Sequence, residues 1–389
     1  MILPTLKPGV LRFAGFYAAL FLVVGVQLPY WPVWLKSRGL SATEIGILVA
    51  AQLWVKVGFN PLVGQFVDRT GRRRPILLGL AVTTLAVMLA FPLAHGFVPL
   101  LCLSLMVGAS FSAIMPVGDN LTLSHVVAHG MDYGRVRLWG SLSFIAMSVA
   151  AGGLLDVIGG DGAIVWLLVA ALIPLCFAIL ALPDAPPSVA DLPETPRPGW
   201  GDLLRSGRYW RFLAATATIG ASHAMYYGFG TLHWQRHGID HTWIGGLWGV
   251  GVAAEVVVFA FSGALVRRFG AVKLILIGAL GAIVRWSLMP FVIDPWLLVP
   301  LQCLHGLTFG ATHLGAMHFL ARQIAPGLTG RALGLYAAMG NGVVLGLATV
   351  ASGGIYAAFG GLGYLSMTAL AAAGAIAALS LVRDPRPAV

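Results

Sequence analysis

Charge is the scarcest property of this sequence. Only 10% of its 389 residues are Asp, Glu, Lys or Arg, against about 25% in a soluble domain. Acids are rarer still, 14 against 24 Lys and Arg. So little polar surface cannot clothe a packed globule in water, so the solvent for most of the chain is lipid. Cysteine is nearly missing, and Cys102, Cys176 and Cys303 all lie in apolar runs. That excludes a disulfide framework, and no Cys/His metal spacing is present. Neither an H-E-x-x-H pattern nor a nucleophile–base set appears, so the residues supply no enzyme chemistry. No cofactor and no metal is expected. The formal charge of +10 invites a nucleic-acid reading. The basic residues, however, are spread over short connections and never gather on one soluble element, so no nucleic-acid partner is expected.

What the chain has is apolar length. A membrane-spanning helix needs about 20 apolar residues. Twelve such runs can be placed, roughly at 11–34, 42–67, 75–94, 97–120, 136–157, 163–182, 209–232, 242–266, 272–292, 296–320, 330–357 and 361–382. The first is read as a retained span and not as a signal peptide, because no small-residue cleavage site follows it. Fifty glycines suit close helix–helix contact in lipid. Nineteen of the 24 basic residues fall on or beside one set of loops and the two termini, and only Lys36, Arg38 and Arg236 fall on the other side. That asymmetry predicts a multi-pass protein with both termini in the cytoplasm. The one long polar stretch, at 183–208, carries six prolines with mixed charges. It reads as a linker between two six-span halves.

One connection stands out. Residues 64–74 read GQFVDRTGRRR, packing Asp68 and four arginines between two spans, with Gly71 placed for a sharp turn. A degenerate echo, GALVRRFGAVK, occupies 263–273, and Gly263 and Gly270 follow Gly64 and Gly71 by 199 residues. On charge alone the first copy is an ordinary positive loop in which Asp68 pairs with arginines.

Ionisable residues inside hydrocarbon are costly and face a cavity or a partner. The list is Lys56, Asp119, Glu255 and Arg285, with Arg137 at the start of the fifth span. Glu255 and Arg285 are either a structural ion pair or a carboxylate whose proton occupancy a guanidinium controls. Asp119 and Arg137 are either a helix-end salt bridge or a pair that hydrogen-bonds solute. Lys56 either snorkels or offers a cavity-facing cation suited to a carboxylate. Among uncharged companions, Asn120 follows Asp119, His305 lies in the tenth span, and His223 precedes Tyr226 and Tyr227 in the seventh, where the group either packs or stacks an aromatic ligand. His313 and His318 read as packing residues.

The loop pattern G-x-x-x-D-R-x-G-R-R resembles the signature between spans 2 and 3 of the major facilitator superfamily. Gly64, Asp68, Arg69, Gly71 and Arg72 fill its positions, and in that family the loop latches the cytoplasmic gate. YGRVRLWGS (133–141) and LPYWPVWLKSRGLSATEIG (28–46) look like the lactose permease relatives, particularly their 3-phenylpropionate permease branch. The resemblance matches Asp119 and Arg137 to sugar-binding residues, and Arg285 and His305 to the proton site. Two departures stand beside it. Thr308 replaces the proton-carrying glutamate, and Gln302 and Phe229 replace a charged pair. The coupling carboxylate is then expected at Glu255, with Asp119 as second choice.

The resemblance therefore implies an all-α integral membrane protein, with twelve transmembrane helices in two pseudo-symmetric six-helix bundles (1–182 and 209–389) joined by the 183–208 linker. It implies a monomeric proton symporter of a bacterial-type inner membrane, importing a small organic acid by alternating access. The solute-binding residues would be Asp119, Arg137, Lys56, Asn120, His223 and Tyr227, and the proton-coupling residues Glu255, Arg285 and His305. Its partners would be a small-molecule solute, protons and the bilayer. An oligosaccharide or nucleoside symporter is the alternative.

Overall fold

A computed structural model describes residues 8–184 and 200–383. The proline-rich part of the expected linker, residues 185–199, lies outside the described residues, as do both termini. The described chain is helical, with α1 (Pro8–Ser37), α2 (Ala42–Thr70), α3 (Arg73–Ala90), α4 (Phe97–His129), α5 (Tyr133–Ile158), α6 (Ala163–Ala181), α7 (Trp200–Arg205), α8 (Gly207–Ala221), α9 (Ala224–Arg236), α10 (His241–Ala260), α11 (Ser262–Leu288), α12 (Pro295–Cys303), α13 (Thr312–Gln323), α14 (Thr329–Ala338), α15 (Leu345–Phe359) and α16 (Tyr364–Arg383).

Local sequence sets the helix ends. Ser41 and Glu44 form a capping box at the start of α2, with the Ser41 amide donating to Glu44 Oε2 at 2.8 Å and the Glu44 amide to Ser41 Oγ at 3.3 Å, so two otherwise orphaned amides are satisfied. Asp294, followed by Pro295 at the first helical position, caps α12. At the end of α2 the loop glycine behaves as its sequence predicts. Gly71 has φ +67° and its amide returns to Val67 O at 2.8 Å, a conformation that costs other residues about 1–2 kcal/mol.

Among the described residues, nine helical stretches are long and apolar enough to cross a membrane, where twelve runs are expected from sequence. The seventh and tenth runs are interrupted, and the eleventh and twelfth fall within one continuous helical stretch, Thr329–Arg383. The seventh run breaks between α8 and α9 at Ser222–His223. The tenth contains a π-helical turn at Gly306–Ala311, and the eleventh another at Met339–Val344. Such turns interrupt the regular bonding ladder and recur at functional sites. The boundary expected between runs eight and nine falls at Gly270, whose φ +73° and ψ 168° interrupt α11. Gly71 and Gly270 thus share a positive φ, as the repeat predicts. Large apolar side chains such as Leu62 (62% exposed) and Val157 (85%) point outward, as a lipid-facing surface requires.

The chain divides into two compact units. Unit 1 comprises 1–190 and 239–249, and unit 2 comprises 191–238 and 250–389. In unit 1, α1 packs on α5 and α6, α2 on α4, and α3 on α4 and α6. Trp31 and Trp34 stack at 4.9 Å with Phe91 edge-on to both. The start of α10 lies against α5 here. Asp156 accepts from the amides of His241 (3.0 Å) and Thr242 (2.9 Å) and from the Thr242 hydroxyl (2.6 Å). In unit 2, α11 packs on α13 and α16, and α8 on α16. Phe212 and Phe319 stack at 4.3 Å at its centre.

Candidate functional site

Two polar clusters stand out, one in each unit. In unit 1, Asp119 of α4 accepts hydrogen bonds from the phenols of Tyr17 on α1 (2.5 Å) and Tyr133 on α5 (3.0 Å). The expected Asp119–Arg137 pair does not form, and no ion pair joins them among the described residues. Tyr133 and Arg137 share a face of α5 because they are four residues apart. Tyr133 reaches the carboxylate, and the Arg137 guanidinium lies instead over the rings of Phe21 (4.2 Å) and Tyr17 (5.5 Å). Cation–π contact holds it there. Gly140 makes the room, since a Cβ at that position would come within 2.9 Å of both Arg137 Nη1 and Phe21. The carboxylate is thus satisfied by neutral donors, leaving the neighbouring cation without an acid.

Lys56 stands in the middle of α2, just past the place where Gln52 and Val55 cross α4 at Gly108. Its ammonium makes no hydrogen bond or ion pair among the described residues. Asn120, expected to bind solute beside Asp119, does not share its cluster. It is exposed and accepts a hydrogen bond from Arg73 Nε, because consecutive helical residues point about 100° apart. In the loop at 64–74 the expected pairing of Asp68 with arginines does not form in this structure. Asp68, Arg69 and Arg72 are exposed, and Asp68 makes no ion pair among the described residues. The bonded arginines of that run are Arg73, the last of the motif, and Arg74 just after it. Arg73 ties α3 to α4, and Arg74 donates to Leu180 O at 2.6 Å, at the end of α6.

Unit 2 brings Glu255, Arg285 and His305 together, as expected. His305 Nε2 is 2.8 Å from Glu255 Oε1, and Arg285 Nη1 is 2.8 Å from His305 Nδ1. Arg285 is fully buried. Its second amino group donates to Gln302 Oε1 at 2.6 Å, and its guanidinium lies 4.6 Å from the rings of both Tyr226 and Trp286. Bringing a charge out of water costs several kcal/mol unless partners surround it; here both amino groups are bonded and two rings flank the guanidinium, while Nε has no hydrogen-bond partner among the described residues. His223, expected to bind solute, is buried and bonded within this cluster. It is 1% exposed, its Nδ1 lies 3.1 Å from Ile219 O and its Nε2 3.0 Å from Thr308 Oγ1. The break between α8 and α9 turns it into the cluster, and Tyr227 stacks against it at 5.7 Å.

Sequence reasoning overlooked Tyr17, whose phenol looks like any aromatic in an apolar run. It noted Gln302 and Thr308 only as departures. Their spacing carried the signal: 302, 305 and 308 fall on one helical face, a polar stripe in an otherwise apolar run. A groove of about 960 Å³ between α2, α3 and α4 is lined by apolar residues such as Phe59, Leu62, Phe66 and Met106, with Arg72 at its edge. None of the predicted solute or proton residues lines it.

Residues 10–364 match the model of the MFS_1 like family. The chain is 34% identical over 339 residues to the "Probable 3-phenylpropionic acid transporter" of Escherichia coli (strain K12), covering 87% of this chain and 88% of that one. It is 31% identical over 362 residues to the "Maltose permease" of Geobacillus stearothermophilus, covering 88% and 86%. Among solved structures, the nucleoside transporter NupG superposes with a TM-score of 0.79 at 15% identity over 96% of this chain and 99% of that one, a likeness of fold. Apolar helices and transporter relatives together make this a multi-pass membrane protein, and the chain belongs to the MFS_1 like family, within the major facilitator superfamily of transporters.

Proposed function

We propose that this chain is a proton symporter that imports a small organic acid with an apolar body, of the 3-phenylpropionate kind, by alternating access. The carrying observation is Lys56, a cation in mid-span with no partner among the described residues. An unpaired cation in hydrocarbon is costly, and a solute carboxylate would compensate it. Arg137, lying on aromatic rings without an acid, is the second receptor, and the half-buried ring of Phe21 offers the solute's body an apolar wall. Asp119, Tyr17 and Tyr133 form the polar side of the same cluster. Glu255, with Arg285 and His305, binds the proton. Asp68, Arg69 and Arg72 form the gate motif, exposed in this structure and paired in another state of the cycle. The protein would work as a monomer in a bacterial-type inner membrane with both termini in the cytoplasm.

The relative named maltose permease, together with the phenol-ringed Asp119, favours a second reading, a sugar or nucleoside symporter, since carboxylates commonly receive hydroxyls. Proteoliposomes with an imposed inward proton gradient separate the two. Uptake of labelled 3-phenylpropionate is expected, with competition by benzoates and not by galactosides or nucleosides. Lys56→Gln should weaken competition by the acids and leave that by their uncharged amides unchanged. Uptake blocked by galactosides or nucleosides, with no response to acids, would establish the second reading.

A further inference from the structure

The hydrogen bonds of the unit 2 cluster have only one self-consistent direction. Arginine has no acceptor, so Arg285 Nη1 donates to His305 Nδ1 (2.8 Å), and that nitrogen carries no proton. His305 Nε2 then carries the ring proton and donates it to Glu255 Oε1 (2.8 Å). At the other end, the Ile219 carbonyl can only accept, so His223 Nδ1 carries a proton (3.1 Å). His223 Nε2 then accepts from the Thr308 hydroxyl (3.0 Å), and Thr308 Oγ1 accepts from Arg285 Nη1 (3.4 Å). Turning that hydroxyl to its own helix, toward His305 O at 3.5 Å, would require His223 to be an imidazolium beside the buried Arg285. Such a like-charge pair out of water is prohibitive.

We propose that His223 and His305 are held as neutral imidazoles of opposite tautomer, with His223 protonated on Nδ1 and His305 on Nε2. Glu255 is then the group of this cluster that takes up a proton, and the histidines with Thr308 are positioning residues that aim Arg285. The proposal rests on the proton-coupled reading above for its functional meaning; the tautomers follow from the bonding alone. Exposure agrees with it. The Glu255 side chain is 16% exposed and that of His305 8%, while Arg285 is 0% and His223 1%, so water reaches the carboxylate end first. The proton arrives from water on a carboxylate oxygen. The resulting acid still accepts the His305 Nε2–H through its carbonyl oxygen, and what changes is that Arg285 loses the negative charge bridged to it by the imidazole. The titratable groups packed around this chain are Arg285, Tyr226, Tyr227, Tyr364 and His313, and no carboxylate other than Glu255 is bonded within it.

Nitrogen NMR on the full chain in lipid, with labelled histidine, tests this without a transported solute. The ring signals lost in His223→Gln and in His305→Gln identify the two residues. In the wild type both should be neutral, of opposite tautomer, and unchanged between about pH 5 and pH 8. A protonated-carboxyl infrared band that grows as pH falls should disappear in Glu255→Gln. An imidazolium at either histidine in that range, two like tautomers, or a band that survives in Glu255→Gln would overturn the proposal. Transport adds an independent arm. His305→Gln, which keeps a donor and an acceptor, should lose less uphill 3-phenylpropionate uptake than His305→Leu; equal losses would remove the bridging role. Wild-type liposomes that fail to take up 3-phenylpropionate would refute the solute reading and leave the spectroscopic result standing.

Discussion

Arg285 has no side-chain solvent contact and reaches its nearest bonded carboxylate through an imidazole. A direct Arg–Glu bond would hold both charges in one geometry. The bridged arrangement leaves Glu255 at the edge of the cluster, where its proton can exchange. Glu255→Gln keeps the shape and removes the charge, so uphill uptake driven by a proton gradient should be abolished while solute exchange across the membrane persists. Counterflow measured beside gradient-driven uptake checks this, and undiminished uphill uptake would remove Glu255 from coupling. At this scale the sequence exposed the ionisable residues, because charges in apolar runs are conspicuous. It could not assign partners. Arg137 has Asp119, Phe21 and Tyr17 as candidates, and its resting place over the rings depends on Gly140 leaving space.

Helices cross where glycine lets them. At the α2–α4 crossing, a Cβ on Gly108 would come 2.8 Å from Gln52 Cα, a backbone atom that can move only with its helix. On α2 itself, a Cβ on Gly58 would meet nothing within 4 Å. Gly108→Ala should therefore destabilise by about 1–3 kcal/mol. Gly58→Ala should be neutral or slightly stabilising through helix propensity. Thermal unfolding in detergent distinguishes them, and equal midpoints would contradict the crossing. The existence of most helices was legible from apolar length, and several ends from capping residues such as Ser41 and Asp294. The break in the seventh run and the π turns in the tenth and eleventh were not, since hydropathy registers neither. Yet the break at Ser222–His223 is what delivers His223 to Thr308, so the elements least visible in sequence position part of the candidate site.

At the level of the molecule, the chain enters unit 1 a second time at 239–249, with residues of unit 2 before and after. Asp156 fastens that segment. Its carboxylate accepts from the His241 ring at 2.8 Å as well as from the Thr242 hydroxyl and the two amides. The Tyr30 hydroxyl lies 2.9 Å from His241 O. Asp156 is 30% exposed, so screening reduces what these bonds contribute to about 1–3 kcal/mol. Asp156→Ala should speed amide exchange at His241 and Thr242 while leaving the α1–α5 contact protected; unchanged exchange would show that packing alone retains the segment. The amino-acid sequence by itself determined that this chain lives in lipid, where its apolar runs lie and which family it resembles, because the burial of apolar length and the cost of buried charge are local properties written residue by residue. Only the tertiary structure decided that Asp119 is ringed by phenols, that Asn120 turns away to Arg73, and that Glu255 meets Arg285 through His305. Those outcomes depend on side chains from different helices competing for the same few ångströms of space.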